Sequence, residues 1–205
     1  KSYLQEENFS FSFHIDDLNA VTELTIYTKD NPGLFTKLAG AFALTGVNVV
    51  DAKVNTMKNG MALDTFWIQS KQLLPFQGSK AFERLKNNIN NSLKNEKWLK
   101  DSMENTKLFL NHKTNQTSIE PNVAVDNYAS TFYTVVEVTT KDRIRLLYDL
   151  SNVFAALEIQ IGSSHITTYG ERVVDVFYIK DIFGLKILHK KKLEILKKSI
   201  FKVIN

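Results

Sequence analysis

This 205-residue chain contains no cysteine, which removes disulfides, thiolate nucleophiles and Cys-based zinc sites together. That suits a reducing cytosol, and a cytoplasmic location is the expectation. No apolar run is long enough to span a bilayer, and no signal-peptide pattern opens the chain. The first residue is Lys1 rather than Met, so a longer polypeptide is expected around this sequence. Glycine is scarce too. None of the eight glycines forms Gly-x-Gly, which argues against a dinucleotide loop, and no P-loop occurs. The four histidines, His14, His112, His165 and His189, include no i, i+4 pair and no His-Asp dipeptide. No Asp-x-Asp pair is present to hold two Mg²⁺ ions, and no Ser, His and Asp spacing suggests a triad. The expectation is a chain without catalytic residues, metal or cofactor.

What the chain does contain is an ordinary globular composition, 43% hydrophobic, with a net charge of +4. Part of that charge comes from the final run "HKKKLEILKKSIFKVIN". A basic helix can meet nucleic acid, a membrane surface or an acidic partner. No aromatic or Arg-rich groove signature accompanies these lysines, so they read as the solvated face of an amphipathic helix. Neither nucleic acid nor membrane is expected as a partner.

The organisation is a repeat. With Asp30 placed on Asp142, "ELTIYTKD" faces "VVEVTTKD", "GVNVVDAKVNT" faces "EIQIGSSHITT", and "GMALDTFWIQ" faces "ERVVDVFYIK". One residue is dropped, at the turn before the last pair. Within each copy the first block alternates polar and apolar residues and is rich in β-branched side chains, as a strand requires. The next block has a period of 3.6. Leu34, Leu38, Ala41 and Phe42 form the stripe in the first copy, with Thr45 where it would run on. Leu146, Leu150, Val153, Phe154 and Leu157 form it in the second. Two strands joined by a tight turn follow. Asn59-Gly60 is expected to supply both positive φ angles of a two-residue hairpin, and Gly170 stands at the matching bend. A charged helix closes each copy, over 79–95 and 189–203.

A further strand-like piece precedes each copy, at 11–16 and at 122–127. The fold expected is α+β: two domains, each an antiparallel sheet with two helices on one face. The boundaries are 1–106, a polar linker over 107–120, and 121–205.

The site candidate is the turn before the first helix. Asn31 reads as its N-cap and Pro32 as its first residue. Gly33 then removes a Cβ where backbone N–H groups point outward, a seat for a carboxylate. Asn48, at the entry of the next strand, could add an amide. A plain sharp turn is the competing reading of the same residues.

The Asp-x-Pro-Gly-Leu turn followed by "GVNVVDAKV" resembles the ACT domain, a small amino-acid-sensing module of ferredoxin-like βαββαβ fold. "NGMALDTFWIQ" and "HITTYGERVVDVFYIKDIFGLKI" are similar to the tandem C-terminal ACT domains of bacterial protein-PII uridylyltransferase/uridylyl-removing enzymes, from about residue 22 to 187. The resemblance implies the regulatory end alone of an enzyme that modifies PII and senses glutamine, its nucleotidyltransferase and HD hydrolase domains lying elsewhere. It implies glutamine as ligand, PII or the catalytic domains as partners, and ACT–ACT pairing within or between chains. Carried over, the ligand loop is Asp30, Asn31, Pro32, Gly33 and Leu34, with Asn48 as the strand-entry residue. The second copy offers Asp142, Arg143, Ile144, Arg145, Leu146 and Gln160. Relatives keep Pro-Gly where Ile144 and Arg145 stand, so the resemblance points to the first loop. A dimerisation or docking module without sensing is the alternative function.

Overall fold

The computed structural model describes residues 2–5, 9–110 and 119–205. The chain divides into two compact units, Lys1–Gln116 and Thr117–Asn205. The first unit runs β1 (Ser2–Gln5), β2 (Phe9–Asp16), β3 (Val21–Lys29), α1 (Leu34–Thr45), β4 (Asn48–Lys53), β5 (Met61–Gln69), α2 (Ser79–Lys94) and α3 (Glu96–Leu110). The second runs β6 (Asn122–Asp126), β7 (Thr134–Lys141), α4 (Leu146–Ala156), β8 (Ile159–Tyr169), β9 (Arg172–Asp181) and α5 (Lys190–Ile204).

Every strand pairing inside a unit is antiparallel. The order is β1-β2-β3-β5-β4 in the first unit and β6-β7-β9-β8 in the second. This is the α+β fold expected, with one change in connectivity. A βαββαβ chain fills the sheet position beside its first strand from the strand after the second helix. Here β2 and β6, arriving from upstream, hold that position.

The helical stripes lie where their spacing put them. Leu34, Leu38, Ala41, Phe42 and Thr45 are all buried, and Phe42 packs edge-on against Phe66 of β5 at 4.8 Å. Thr45 satisfies its hydroxyl by donating to the Ala41 carbonyl at 2.7 Å and accepting from Asn88 Nδ2 at 2.9 Å. In the second unit Leu146, Leu150 and Phe154 are buried, with Val153 and Leu157 packed at the margin.

Four details differ from expectation. The helix α1 begins at Leu34, two residues beyond Pro32, because residues 31–34 close a turn of their own. Asn31 is therefore not its N-cap. At the first hairpin only Gly60 takes positive φ (76°), while the Asn59 side chain accepts the Met61 N–H at 3.1 Å. The connection is a longer loop in which Gly60 N–H donates to the Met57 carbonyl at 3.0 Å. Finally, β1 and α3 are elements the periodicity did not disclose. The helix α3 takes up residues 107–110 of the expected linker; residues 111–118, with His112, lie outside the described residues.

Candidate functional site

The loop between β3 and α1 is a type II turn. Leu34 N–H donates to the Asn31 carbonyl at 3.0 Å, with Pro32 at the position where its ring pre-sets φ and Gly33 at φ 77°, ψ 10°. No side chain caps α1, Asn31 and Pro32 are exposed, and a Cβ built on Gly33 meets nothing within 4 Å. Free helix amides with open space before them favour an anionic group.

Asp30 is tied back to the neighbouring hairpin. Its N–H donates to the Gly60 carbonyl at 3.1 Å, and its Oδ2 accepts the Thr56 hydroxyl at 2.5 Å. Asn31 Nδ2 reaches the Lys29 carbonyl at 3.3 Å. These bonds gather residues 30–34 into one rigid corner.

Asn48 is elsewhere. It is the first residue of β4, paired with Gln69, and follows the C-terminal end of α1. The helix has 12 residues, so about 18 Å separates its two ends. One small ligand cannot touch both the loop and Asn48 within a single unit.

The second loop keeps the same backbone without the residues that announce it. Leu146 N–H donates to the Arg143 carbonyl at 3.1 Å, and Asp142 N–H to the Glu171 carbonyl at 2.7 Å. Arg145 occupies the glycine position at φ 71°, ψ 2°, a left-handed conformation that costs a side-chain-bearing residue about 1–2 kcal/mol. Its guanidinium grips Asp149 Oδ1 through Nε at 3.1 Å and Nη2 at 2.9 Å, and lies 5.7 Å from the Tyr148 ring centre. Arg143 holds Asp149 Oδ2 at 2.5 Å and the Val203 carbonyl at 3.1 Å. Ile144 and Gln160 are exposed. The turn survives, but its own arginines fill its surroundings.

One pair of groups escaped the sequence reading. Asp64 of β5 is 1% exposed and Asp175 of β9 is 2% exposed, at matching positions in "ALDTF" and "VVDVF". Asp64 Oδ1 accepts the Asn55 N–H at 3.1 Å, whereas its Oδ2 is buried without a partner, as is Asp175 Oδ1. Burial, with a smaller contribution from Asp30, pushes the Asp64 carboxyl up to about 7 against the pull of the Asn55 hydrogen bond. Burial and the nearby Asp142 push Asp175 up to about 8. An acid at the same place in the alternating strand of both copies was the available signal. Among the described residues, no group of three or more His, Cys, Asp or Glu could hold a metal ion.

Residues 122–204, almost the whole second unit, match the family described as ACR9-like, ACT-like domain. Over 92% of its length the chain is 43% identical to a bifunctional uridylyltransferase/uridylyl-removing enzyme of Azospirillum brasilense, covering 20% of that protein. It is 39% identical over 90% of its length to the Rhodospirillum rubrum enzyme of the same name, again covering 20%. The Cereibacter sphaeroides enzyme is 43% identical over 85% of the chain, which covers 19% of it. The second unit is an ACT-like domain. The chain spans about one-fifth of the length of the relatives it matches, so the activity in their name is a property of much longer proteins. No helix among the described residues of the chain is long and apolar enough to cross a membrane.

Proposed function

We propose that the first unit is an amino-acid receptor, with glutamine as its ligand, that regulates PII uridylylation by a uridylyltransferase/uridylyl-removing enzyme. The observation that carries this reading is the contrast between the loops. The first offers uncapped amides, an open face at Gly33 and exposed Asn31. The second commits both arginines to Asp149 and Val203. Glutamine's carboxylate sits on the exposed Asn31 side-chain amide and the backbone N–H at Gly33, and its ammonium meets the free side of Asp30. Its remaining polar groups meet Asn48 of a second copy of the chain, since Asn48 of the same unit is out of reach. Ligand binding favours one arrangement of such paired ACT units over another, and the enzyme attached to them reads the difference.

Calorimetry with L-glutamine tests this directly. Asn31→Ala and Asn48→Ala should each weaken binding about tenfold, the loss of one or two hydrogen bonds to a charged or polar ligand. Binding untouched by both substitutions contradicts the assignment.

A specific observation favours a second role for the second unit, docking of PII. Two loops there carry exposed apolar side chains: Tyr128 and Phe132 on one, Ile182, Phe183, Leu185 and Leu188 on the other. They are rigidly built. Asp181 Oδ1 accepts the Phe183 and Leu185 N–H groups at 2.9 Å each, and Lys186 Nζ donates to the Asn127 and Ser130 carbonyls. Ordered loops that hold large apolar groups in water mark contact surfaces. Phe183→Ser combined with Leu185→Ser should reduce PII capture at least tenfold while leaving glutamine affinity unchanged.

A further inference from the structure

Each unit buries one carboxyl behind its loop, and each leaves one oxygen of it unsatisfied. This arrangement persists in the second unit, where the Pro-Gly pair does not. On the helix-facing side of β5, Phe66 meets Phe35 in the first turn of α1, ring centres 5.9 Å apart. Asp64 stands two residues earlier on the same face, one pleat nearer the loop. The donors that hold the two acids are adjacent in sequence: Asn55 N–H on Asp64 and Thr56 O–H on Asp30. Loop and buried acid thus hang from a single corner of the hairpin.

We propose that Asp64 is a positioning residue for the first loop, and that its proton is linked to the binding of an ammonium-bearing ligand there. The linkage rests on the receptor reading above; the positioning does not. Ionising Asp64 places a buried, half-satisfied charge beside Asp30, and the mutual repulsion strains the corner that carries the loop. Protonated, Asp64 leaves Asp30 on Thr56 and Gly60 undisturbed. A ligand ammonium paired with Asp30 cancels part of the repulsion, so binding draws the proton off Asp64, and raising the pH tightens binding by the same coupling.

Charges on the other elements do not replace Asp30 in this role. Lys37 is the one charged residue of α1 and lies near Glu96 at the start of α3. Lys29 closes β3 in solvent. On β4, Asp51 accepts the Ala52 N–H at 2.8 Å, and Lys53 lies 5.2 Å over the Trp67 ring, on the opposite face of β5. From α2, Arg84 bonds the Thr45 carbonyl at the far end of α1. Burial is the first cause of the upward shift and Asp30 the one charge that adds to it.

The experiment is an NMR titration from pH 5 to 9 that follows the Asp64 carboxyl carbon and the Gly33 and Leu34 amides. The amides should move with the Asp64 midpoint, near 7, and the step should vanish in Asp64→Asn. Asp30→Asn should lower the Asp64 midpoint, which keeps the test decisive if Asp64→Asn does not fold. Amides that ignore Asp64, or an Asp64 midpoint unmoved by Asp30→Asn, overturn the positioning role. In parallel, calorimetry in two buffers of different ionisation enthalpy should show L-glutamine binding about fivefold tighter at pH 8 than at pH 6, with proton release. Affinity independent of pH, or proton uptake, overturns the linkage. Silence at both pH values rejects glutamine as ligand and the linkage with it, while the amide titration still decides the positioning role.

Discussion

Gly33 and Arg145 hold φ of 77° and 71° at the same corner of two loops, one without a side chain and one with a long charged one. Space is not what Gly33 supplies to the fold, because a Cβ there meets nothing within 4 Å. Gly33→Ala should therefore cost only the left-handed strain, about 1–2 kcal/mol, read as a shift in urea midpoint. A loss well above that would mean the corner is packed. The buried acids make a second claim at this scale. Their carboxyls are raised in the fold above their ordinary value, so the stability they contribute is complete below about pH 4 and declines as pH rises, through about 7 for Asp64 and about 8 for Asp175. Asp64→Asn removes that slope. Its stability relative to wild type should rise by on the order of 2–4 kcal/mol between pH 4 and pH 8 in urea unfolding. A constant difference across that range would contradict the shift. Asp64 was readable only as a polar interruption of an alternating strand, because the sequence does not say on which face or how deeply a carboxyl lies. The turn conformation of Arg145 was hidden for a different reason. Its partners, Asp149 one helical turn on and the Tyr148 ring, hold a conformation that the residue alone disfavours.

At the scale of elements, α1 and α4 were legible because both obey one period on one face against a sheet. Leu38, wholly buried at the centre of that face, should cost 2–5 kcal/mol on replacement by Ala, measured by chemical unfolding. The hairpin was half legible. Gly60 bends the chain as its φ demands, but the loop closes through Met57 and Met61 rather than through a two-residue turn. The helix α3 went unread because its buried contacts are few. Among its described side chains Leu99 and Met103 are the buried apolar ones, Trp98 is half-buried, and the others are mostly charged or polar. Tertiary packing on α1 and α2, more than its own pattern, makes it a helix. The upstream strands β2 and β6 were visible as alternating segments. Their place in the sheet follows from pairing along β3 and β7, which no local pattern encodes.

For the whole molecule, duplication made the fold readable. Two copies of one pattern, each with its own core, gave the same architecture twice, and the relatives at 39–43% identity are about five times longer than this chain. Duplication also explains how the loops could diverge. On the proposed reading one copy keeps an open ligand corner, while the other, locked by Arg143 and Arg145 onto Asp149, holds large apolar side chains exposed on two loops. The central claim is this division of labour, and one calorimetric titration tests it. L-glutamine added to the wild-type chain should bind saturably at one site per chain. Gly33→Arg, which writes the second loop's residue into the first, should abolish that heat while the chain stays folded, since a Cβ there meets nothing and the left-handed strain costs only about 1–2 kcal/mol. Two sites per chain, or binding that survives Gly33→Arg, would contradict the account.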